Sequence, residues 1–369
     1  MDSIGIRLQH AHKLFSKSNW KIVTKLMENS TFCDFSPILT LDLTEYCNFR
    51  CPFCIDGRIT QSDVRQEIEW VWLERELPQF KKDGCRAIEL SGGGEPTSYS
   101  HFEEFVAMAT TLDYRLALIT NGTGLARYYD TILNGNFDWI RVSLNAACTK
   151  THQEFHQIHT DLFYDIIESI RNLAPWKCIG ISFIVDENNV SELYAAATLS
   201  KDIGSQYIEI KPKVLSDNKG FISYQTFQHK LREEVQKAQM IQNDSFSVLL
   251  TQSMQDIIDG TLQNPHLKSV SQCYACYLRT LLTPTSVYPC TYYRGSYKYA
   301  RPYYSSYDII QQRNELINSI NPCRDCEQYC ARDECNKTID SLFVIKQQNP
   351  TLFSYLGWPV DYGEDSIWL

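Results

Sequence analysis

From Pro37 onward the chain alternates short runs of β-branched and other apolar residues with longer amphipathic stretches. The short runs predict strands at Ile38–Thr44, Arg86–Ser91, Arg115–Thr120, Trp139–Leu144, Cys178–Val185 and Tyr207–Lys211. Helical spacing between them predicts Trp70–Lys82, His101–Thr111, Leu125–Leu133, Leu162–Leu173 and Val190–Ile203. Six strand-helix alternations imply parallel strands joined by right-handed crossovers. Pattern alone leaves a doubly wound open sheet as one reading. In the sixth run Glu209 and Lys211 alternate with Ile208 and Ile210, so one face is polar. That pair meets a substrate if the face points inward, and is a solvated pair if it points outward. After Gly220 the rhythm stops, and a helix from Tyr224 to Met240 leads away. Residues 1–36 carry a weak apolar stripe of Leu8, His12, Leu14 and Phe15, and the tail holds Phe353, Tyr355, Trp358, Tyr362 and Trp368, expected to pack.

The 369 residues suffice for one large core and a smaller satellite. A net charge of −9 without clustered Lys and Arg argues against a nucleic-acid surface. No apolar run approaches membrane-spanning length and no signal-peptide pattern opens the chain, so a cytoplasmic protein without membrane contact is expected. Fourteen cysteines in such a chain point to metal ligands rather than disulfides. Three lie in one loop, seven lie between Cys273 and Cys335, and Cys33, Cys85, Cys148 and Cys178 are scattered, expected as small buried hydrophobes.

The first loop is Thr44-Glu45-Tyr46-Cys47-Asn48-Phe49-Arg50-Cys51-Pro52-Phe53-Cys54, directly after the first predicted strand. Its C-x3-C-x2-C spacing supplies three thiolates, enough for three irons of a 4Fe-4S cubane. Structural zinc calls for a fourth ligand, and none lies close in sequence. The loop resembles the signature of radical S-adenosylmethionine (SAM) enzymes, with the aromatic Phe53 before the last cysteine. The resemblance implies that Cys47, Cys51 and Cys54 hold the cluster. It also implies that SAM chelates the open iron and is reductively cleaved to a 5'-deoxyadenosyl radical, which abstracts hydrogen from a substrate. It further implies a partial (β/α)6 barrel whose open side admits a large substrate, within an α/β fold class.

Ligands in such sheets sit at the carboxyl ends of the strands. After the second strand comes Ser91-Gly92-Gly93-Gly94-Glu95-Pro96-Thr97. Glycines there allow close approach to the backbone, although a glycine cluster before a helix is also an ordinary turn. Gly93, Gly94, Glu95 and Pro96 match the family's motif that contacts the SAM amino group. The third strand ends in Thr120-Asn121-Gly122-Thr123 and the fourth in Ser143-Leu144-Asn145. By strand order Asn121, Ser143 and Asn145 correspond to positions that bind the SAM carboxylate and ribose; turn formers and helix caps are the alternative. Asp186-Glu187-Asn188-Asn189 after the fifth strand is a helix cap or an adenosine-facing rim.

The later cysteines are Cys273 and Cys276, then Cys290 in Val287-Tyr288-Pro289-Cys290, then Cys323, Cys326, Cys330 and Cys335. This block resembles the SPASM or twitch extension, which binds auxiliary 4Fe-4S clusters. Departures in spacing count against a full two-cluster domain: three residues rather than five separate Cys326 from Cys330, and no cysteine follows Cys335. At least one auxiliary cluster is expected, held by Cys273, Cys290, Cys323 and Cys326 or by some of Cys330 and Cys335. A four-cysteine zinc site fits Cys-x2-Cys pairs equally well. Cys276 is then a spare thiol that can return a hydrogen atom to a substrate radical, or an ordinary ligand.

The expected division is an extension (1–36), a radical SAM core (37–222), a SPASM/twitch-like domain (223–345) and a tail (346–369). The extension is too short for a winged-helix leader-recognition domain. The resemblance implies an oxidoreductase that matures a ribosomally made peptide by cross-linking or epimerisation, with a flavodoxin or ferredoxin reductase as electron donor. A dehydrogenase of a sugar or cyclitol and a non-catalytic iron-sulfur sensor are the alternatives.

Overall fold

The computed structural model of the chain describes residues 14, 17–28, 34–55, 66–215, 220–262, 268–326, 330, 332–351 and 368. The chain divides into two compact units. The first takes its described residues from Met1–Thr40, Glu74–Ile88 and Asn264–Leu369, the second from Leu41–Leu73 and Glu89–Gln263. Two strands, β1 (Ile38–Leu41) and β2 (Ala87–Leu90), give their amino ends to the first unit and their carboxyl ends to the second.

The second unit adds β3 (Arg115–Thr120), β4 (Phe137–Ser143), β5 (Ile179–Val185), β6 (Tyr207–Pro212) and β7 (Ser247–Leu250). Their order is β7-β6-β5-β4-β3-β2-β1, and each pairing from β3 to β7 is parallel. The sheet is open at β7. β5 reads as a nearly continuous buried run, as a parallel strand covered on both faces should. β4 alternates instead, with Ile140 and Val142 buried and Arg141 and Ser143 half-exposed.

Crossover helices separate these strands: α1 (Phe102–Thr111), α2 (Tyr129–Asn134), α3 (Thr149–His156), α4 (Phe163–Leu173), α5 (Leu193–Asp202) and α6 (Gln228–Met240), and α7 (Gln252–Asp259) follows β7. α4 buries Phe163, Ile166, Ile167, Ile170 and Leu173, the 3-4 spacing that makes one apolar stripe. Thr251 caps α7 by accepting from Met254 N, and Gly260 ends it at φ +73°.

In the first unit the order is β2-β1-β8-β9, where β8 (Arg279–Leu282) and β9 (Val287–Tyr288) form an antiparallel hairpin. Leu281, Tyr288, Tyr293 and Tyr299 pack with Leu316 of α8 (Ser306–Ser319). Arg313 of α8 is buried, donating to Ser36 Oγ at 3.0 Å and Asp34 O at 2.9 Å.

Several sequence boundaries are corrected. The first strand stops at Leu41 rather than Thr44, because Thr44 bridges Glu67 instead of a strand neighbour. The helix expected from Leu125 begins at Tyr129, after a turn in which Leu125 N bonds Gly122 O. The rhythm does not end at Gly220: α6, expected to lead away, returns the chain to β7, a four-residue run too short to stand out as a strand. Of the scattered cysteines Cys85 is buried, but Cys178 is half-buried and Cys148 exposed at the cap position of α3. Cys33, Leu8, His12, Phe15, Phe353, Tyr355, Trp358 and Tyr362 lie outside the described residues, whereas Leu14 and Trp368 are buried. No helix among the described residues is long and apolar enough to cross a membrane.

Candidate functional site

The cysteine loop leaves β1 and is fastened to the glycine motif that follows β2. Gly94 N donates to Thr44 O and Glu95 N to Tyr46 O, both at 2.8 Å. The approach is so close that a Cβ on Gly94 would sit 2.0 Å from Tyr46 O. Gly93 adopts φ +86°, where an added Cβ would also lie 3.2 Å from Thr44 O. The two motifs therefore meet because glycine removes the side chain that would separate them.

Glu95 is buried and its carboxylate accepts four hydrogen bonds from the protein. Oε1 takes Thr97 N at 3.1 Å, Thr97 Oγ1 at 2.7 Å and Thr120 Oγ1 at 2.6 Å, and Oε2 takes Asn121 N at 2.7 Å. Burial pushes its pKa up while these donors oppose the rise. The side chain thus ties the end of β3 to the motif. Pro96 is buried in the first position of a short 3-10 turn capped by Glu95.

Asn121 extends this network to the cysteine loop: Nδ2 donates to Asn48 Oδ1 at 2.7 Å, with Cys47 Sγ at 3.9 Å, and Oδ1 accepts from Thr123 N at 3.0 Å. Phe53 packs against Phe155 of α3 at 4.4 Å between ring centroids. Ser143 pairs with Ser182 of β5, and Ser182 with Glu209 of β6, one row across the sheet. Glu209 is buried and accepts from Arg141 at 2.7 Å and from Lys211 at 2.8 Å, so this pair is not the solvated one allowed by the sequence. Asn145 is buried in a left-handed conformation at φ +58° and its Oδ1 accepts from Ile184 N at 2.8 Å. Asp186 accepts from Asn188 N, and Asn189 Nδ2 donates to Asn145 O and Ile184 O.

Sequence reasoning missed His156. It ends α3 with Nδ1 3.0 Å from Cys51 Sγ and Nε2 3.1 Å from Leu144 O. Burial, reinforced by His152, pushes its pKa down to about 3. The one available signal was the His152-x3-His156 spacing, which places both imidazoles on one face of α3.

Within the first unit, Cys273, Cys276, Cys290, Cys326 and Cys330 line one cavity of about 40 Å³, together with Arg332 and Asn336. Cys273 and Cys276 place their sulfurs 3.2 Å apart, and Tyr293 Oη lies 3.0 Å from Cys326 Sγ. Cys323 is exposed, its sulfur 3.0 Å from Lys268 O, and Cys335 is buried outside that lining. Among the described residues no three His, Cys, Asp or Glu side chains gather as ligands of a single metal ion. A cubane asks for something different, one thiolate at each iron corner. The donor sets of both regions fit that group: three thiols on one loop beside a glycine cradle, and five around one cavity.

Comparison with known proteins agrees with this geometry. Residues 41–199 match the profile of the Radical SAM superfamily. A protein of Saccharolobus islandicus named "Probable GTP 3',8-cyclase" is 28% identical over 179 residues, 47% of this chain and 55% of that protein. An S-adenosylmethionine-dependent nucleotide dehydratase of Thermoplasmatales archaeon (strain ISO4-H5) is 29% identical over 100 residues, 27% of this chain and 34% of that protein. The chain thus spans about half the length, or less, of these relatives. Streptococcus suis SuiB bound to precursor peptide SuiA superposes with a TM-score of 0.62 at 16% identity, over 84% of this chain and 75% of that one. A tagged form of anSMEcpe with bound AdoMet gives 0.55 at 14%, over 87% and 98%. At these identities the structures show a common fold, the α/β open parallel sheet of a partial barrel.

Proposed function

We propose, from the match of residues 41–199 to the Radical SAM superfamily profile, that this chain abstracts hydrogen from a peptide made on the ribosome and so matures it. Cys47, Cys51 and Cys54 are the ligands of a 4Fe-4S cluster in this reading. When bound, that cluster supplies the electron that cleaves SAM to methionine and the 5'-deoxyadenosyl radical. The main chain of Gly93 to Pro96 receives the methionine end of SAM, and Phe53, Asn121, Ser143 and Asn145 border its pocket or hold it in shape. The observation that carries the reading is the pair of hydrogen bonds from Gly94 and Glu95 to Thr44 and Tyr46, which joins the thiol loop to the SAM-binding motif.

Cys273, Cys276, Cys290, Cys326 and Cys330 offer the ligands of one auxiliary cluster, with one thiol in excess of four; Cys276 is the candidate for return of a hydrogen atom. A flavodoxin or ferredoxin is the electron donor that such a site calls for. The peptide reading is supported by the fold shared with SuiB and anSMEcpe, whose structures hold peptides. The relatives named for GTP cyclisation and nucleotide dehydration favour a second reading, a small-molecule substrate. The test is anaerobic reconstitution followed by dithionite and SAM, with 5'-deoxyadenosine measured by chromatography. A peptide encoded by a short neighbouring reading frame and GTP are then offered in turn. Mass change of the peptide supports the first reading; turnover of GTP alone overturns it; an intact cluster that cleaves no SAM points to a sensor.

A further inference from the structure

We infer that His156 donates a hydrogen bond from Nδ1 to the Cys51 sulfur and thereby sets how readily the cluster on this loop accepts its electron. The inference rests on Cys51 being a cluster ligand, as proposed above. His156 touches the loop twice: its Nδ1 lies 3.0 Å from Cys51 Sγ, and its carbonyl accepts from Arg50 N at 3.2 Å. The second contact exists because α3 stops at this residue. Gln157 takes a left-handed φ of +50°, which frees the last carbonyl for the loop.

The ring has little room to turn, with Phe49 at 5.0 Å and His152 at 4.7 Å between centroids. Two contacts of Nε2 bear on where its proton sits. Ile184 N donates to Asn145 Oδ1 at 2.8 Å, which turns the amide so that Nδ2 faces His156 Nε2 at 3.4 Å. An Nε2 that accepts puts the ring proton on Nδ1, aimed at sulfur. Leu144 O, 3.1 Å from Nε2, suits the opposite tautomer, in which a protonated Cys51 donates to Nδ1. With Cys51 as a ligand thiolate, which has no proton to give, the 3.0 Å contact is made by a proton on Nδ1. An N–H bond to a ligand sulfur favours the more negative, reduced cluster and raises its potential. His156 is thus a positioning residue acting through Cys51.

The test uses the full chain, reconstituted anaerobically and titrated potentiometrically while the electron paramagnetic resonance signal that responds to added SAM is followed. His156→Phe keeps the ring and removes the donor, and His156→Asn places an amide nitrogen near the Nδ1 position. The expected result is a fall of about tenfold in the reduced-to-oxidised ratio at fixed potential for His156→Phe, about 59 mV for one electron, and recovery of most of it in His156→Asn. An unshifted midpoint in a folded, iron-loaded His156→Phe protein overturns the inference. Should that variant fail to hold iron, the wild-type protein labelled with 15N-histidine decides. A weak hyperfine coupling from a histidine nitrogen to the reduced cluster supports the bond, and its absence overturns it. A wild-type chain that shows no SAM-responsive cluster signal overturns the proposed function as well.

Discussion

Replacing Gly94 by alanine tests the junction of the two motifs most directly. The added Cβ would stand 2.0 Å from Tyr46 O, 2.5 Å from Tyr46 C and 2.7 Å from Glu45 C. All three are backbone atoms, so no side chain can swing aside. The loop must retreat by about 1 Å to restore van der Waals contact, and that retreat breaks the bonds from Gly94 N to Thr44 O and from Glu95 N to Tyr46 O. Overpacking costs about 1–3 kcal/mol, and each lost bond adds roughly 0.5–1.5 kcal/mol. The sum, about 2–6 kcal/mol, corresponds to a fall in melting temperature of roughly 4–24 °C for a unit of this size. The cysteine loop moves with Tyr46, so iron retained at Cys47, Cys51 and Cys54 should fall with it. Gly260→Ala is the control. That glycine also has a positive φ, +73°, but nothing lies within 4 Å of its Cβ, so only the left-handed penalty of about 1–2 kcal/mol applies. The assay is differential scanning calorimetry of the apo-protein plus iron per chain after reconstitution. A Gly94→Ala protein equal to wild type in both measurements would refute the claim that glycine is required for the junction.

Further outcomes follow from other contacts. Cys47→Ala, Cys51→Ala and Cys54→Ala together should leave about four irons per chain, one cubane on the later cysteines; zinc in their place, by metal analysis, would remove the auxiliary cluster from the reading. Cys335→Ala, away from the cavity lined by Cys273 and Cys290, should keep that iron, whereas Cys290→Ala should lose it. Glu95→Ala leaves Thr97 N and Asn121 N without their acceptor inside the protein, and should lower stability by roughly 2–6 kcal/mol in denaturant titrations. Lys211 is pushed down to about 8 by burial, with Arg141 adding to the effect and Glu209 opposing it. Its folded pKa thus lies below the ordinary 10.5, so the unfolded chain holds more protons between these values and stability from this group rises with pH across that window. Lys211→Met should flatten that rise in melts from pH 8 to 10.5, and an unchanged slope would count against the burial argument.

Much of the second unit was legible because parallel strands and amphipathic crossovers leave strong periods. β3 was read to the residue, and α4 within one, its buried Phe163, Ile166, Ile170 and Leu173 falling at helical spacing. β7 was missed because four residues, Ser247 to Leu250, carry too little pattern to separate a strand from a loop. The cysteine loop and the glycine motif were visible as spacings, but their contact was not, since it is made by main-chain atoms of Thr44, Tyr46, Gly94 and Glu95. His156 was hidden for a different reason. A histidine late in a helix is ordinary in sequence, and its meaning comes from a fold that sets it 105 positions away against Cys51. In the first unit the cysteines themselves were plain, yet which of them share a cavity depends on how the hairpin of β8 and β9 packs with the segments after Ile320, which no local period encodes.

The carboxylate of Glu95, with three donors on Oε1 and one on Oε2, has an implication for how this region tolerates substitution. Because four protein donors hold it, this side chain is committed to the fold, so the motif should be spoiled by altering its shape but hardly retuned by exchanging functional groups. Changes of chemistry in this lineage should therefore accumulate elsewhere, on the half-exposed rows of β4 and β6 around Arg141, Ser143 and Lys211. A library spanning both regions should divide accordingly: variants of Gly93 to Pro96 should separate into working and dead, while variants of the strand rows should yield graded preferences among substrates.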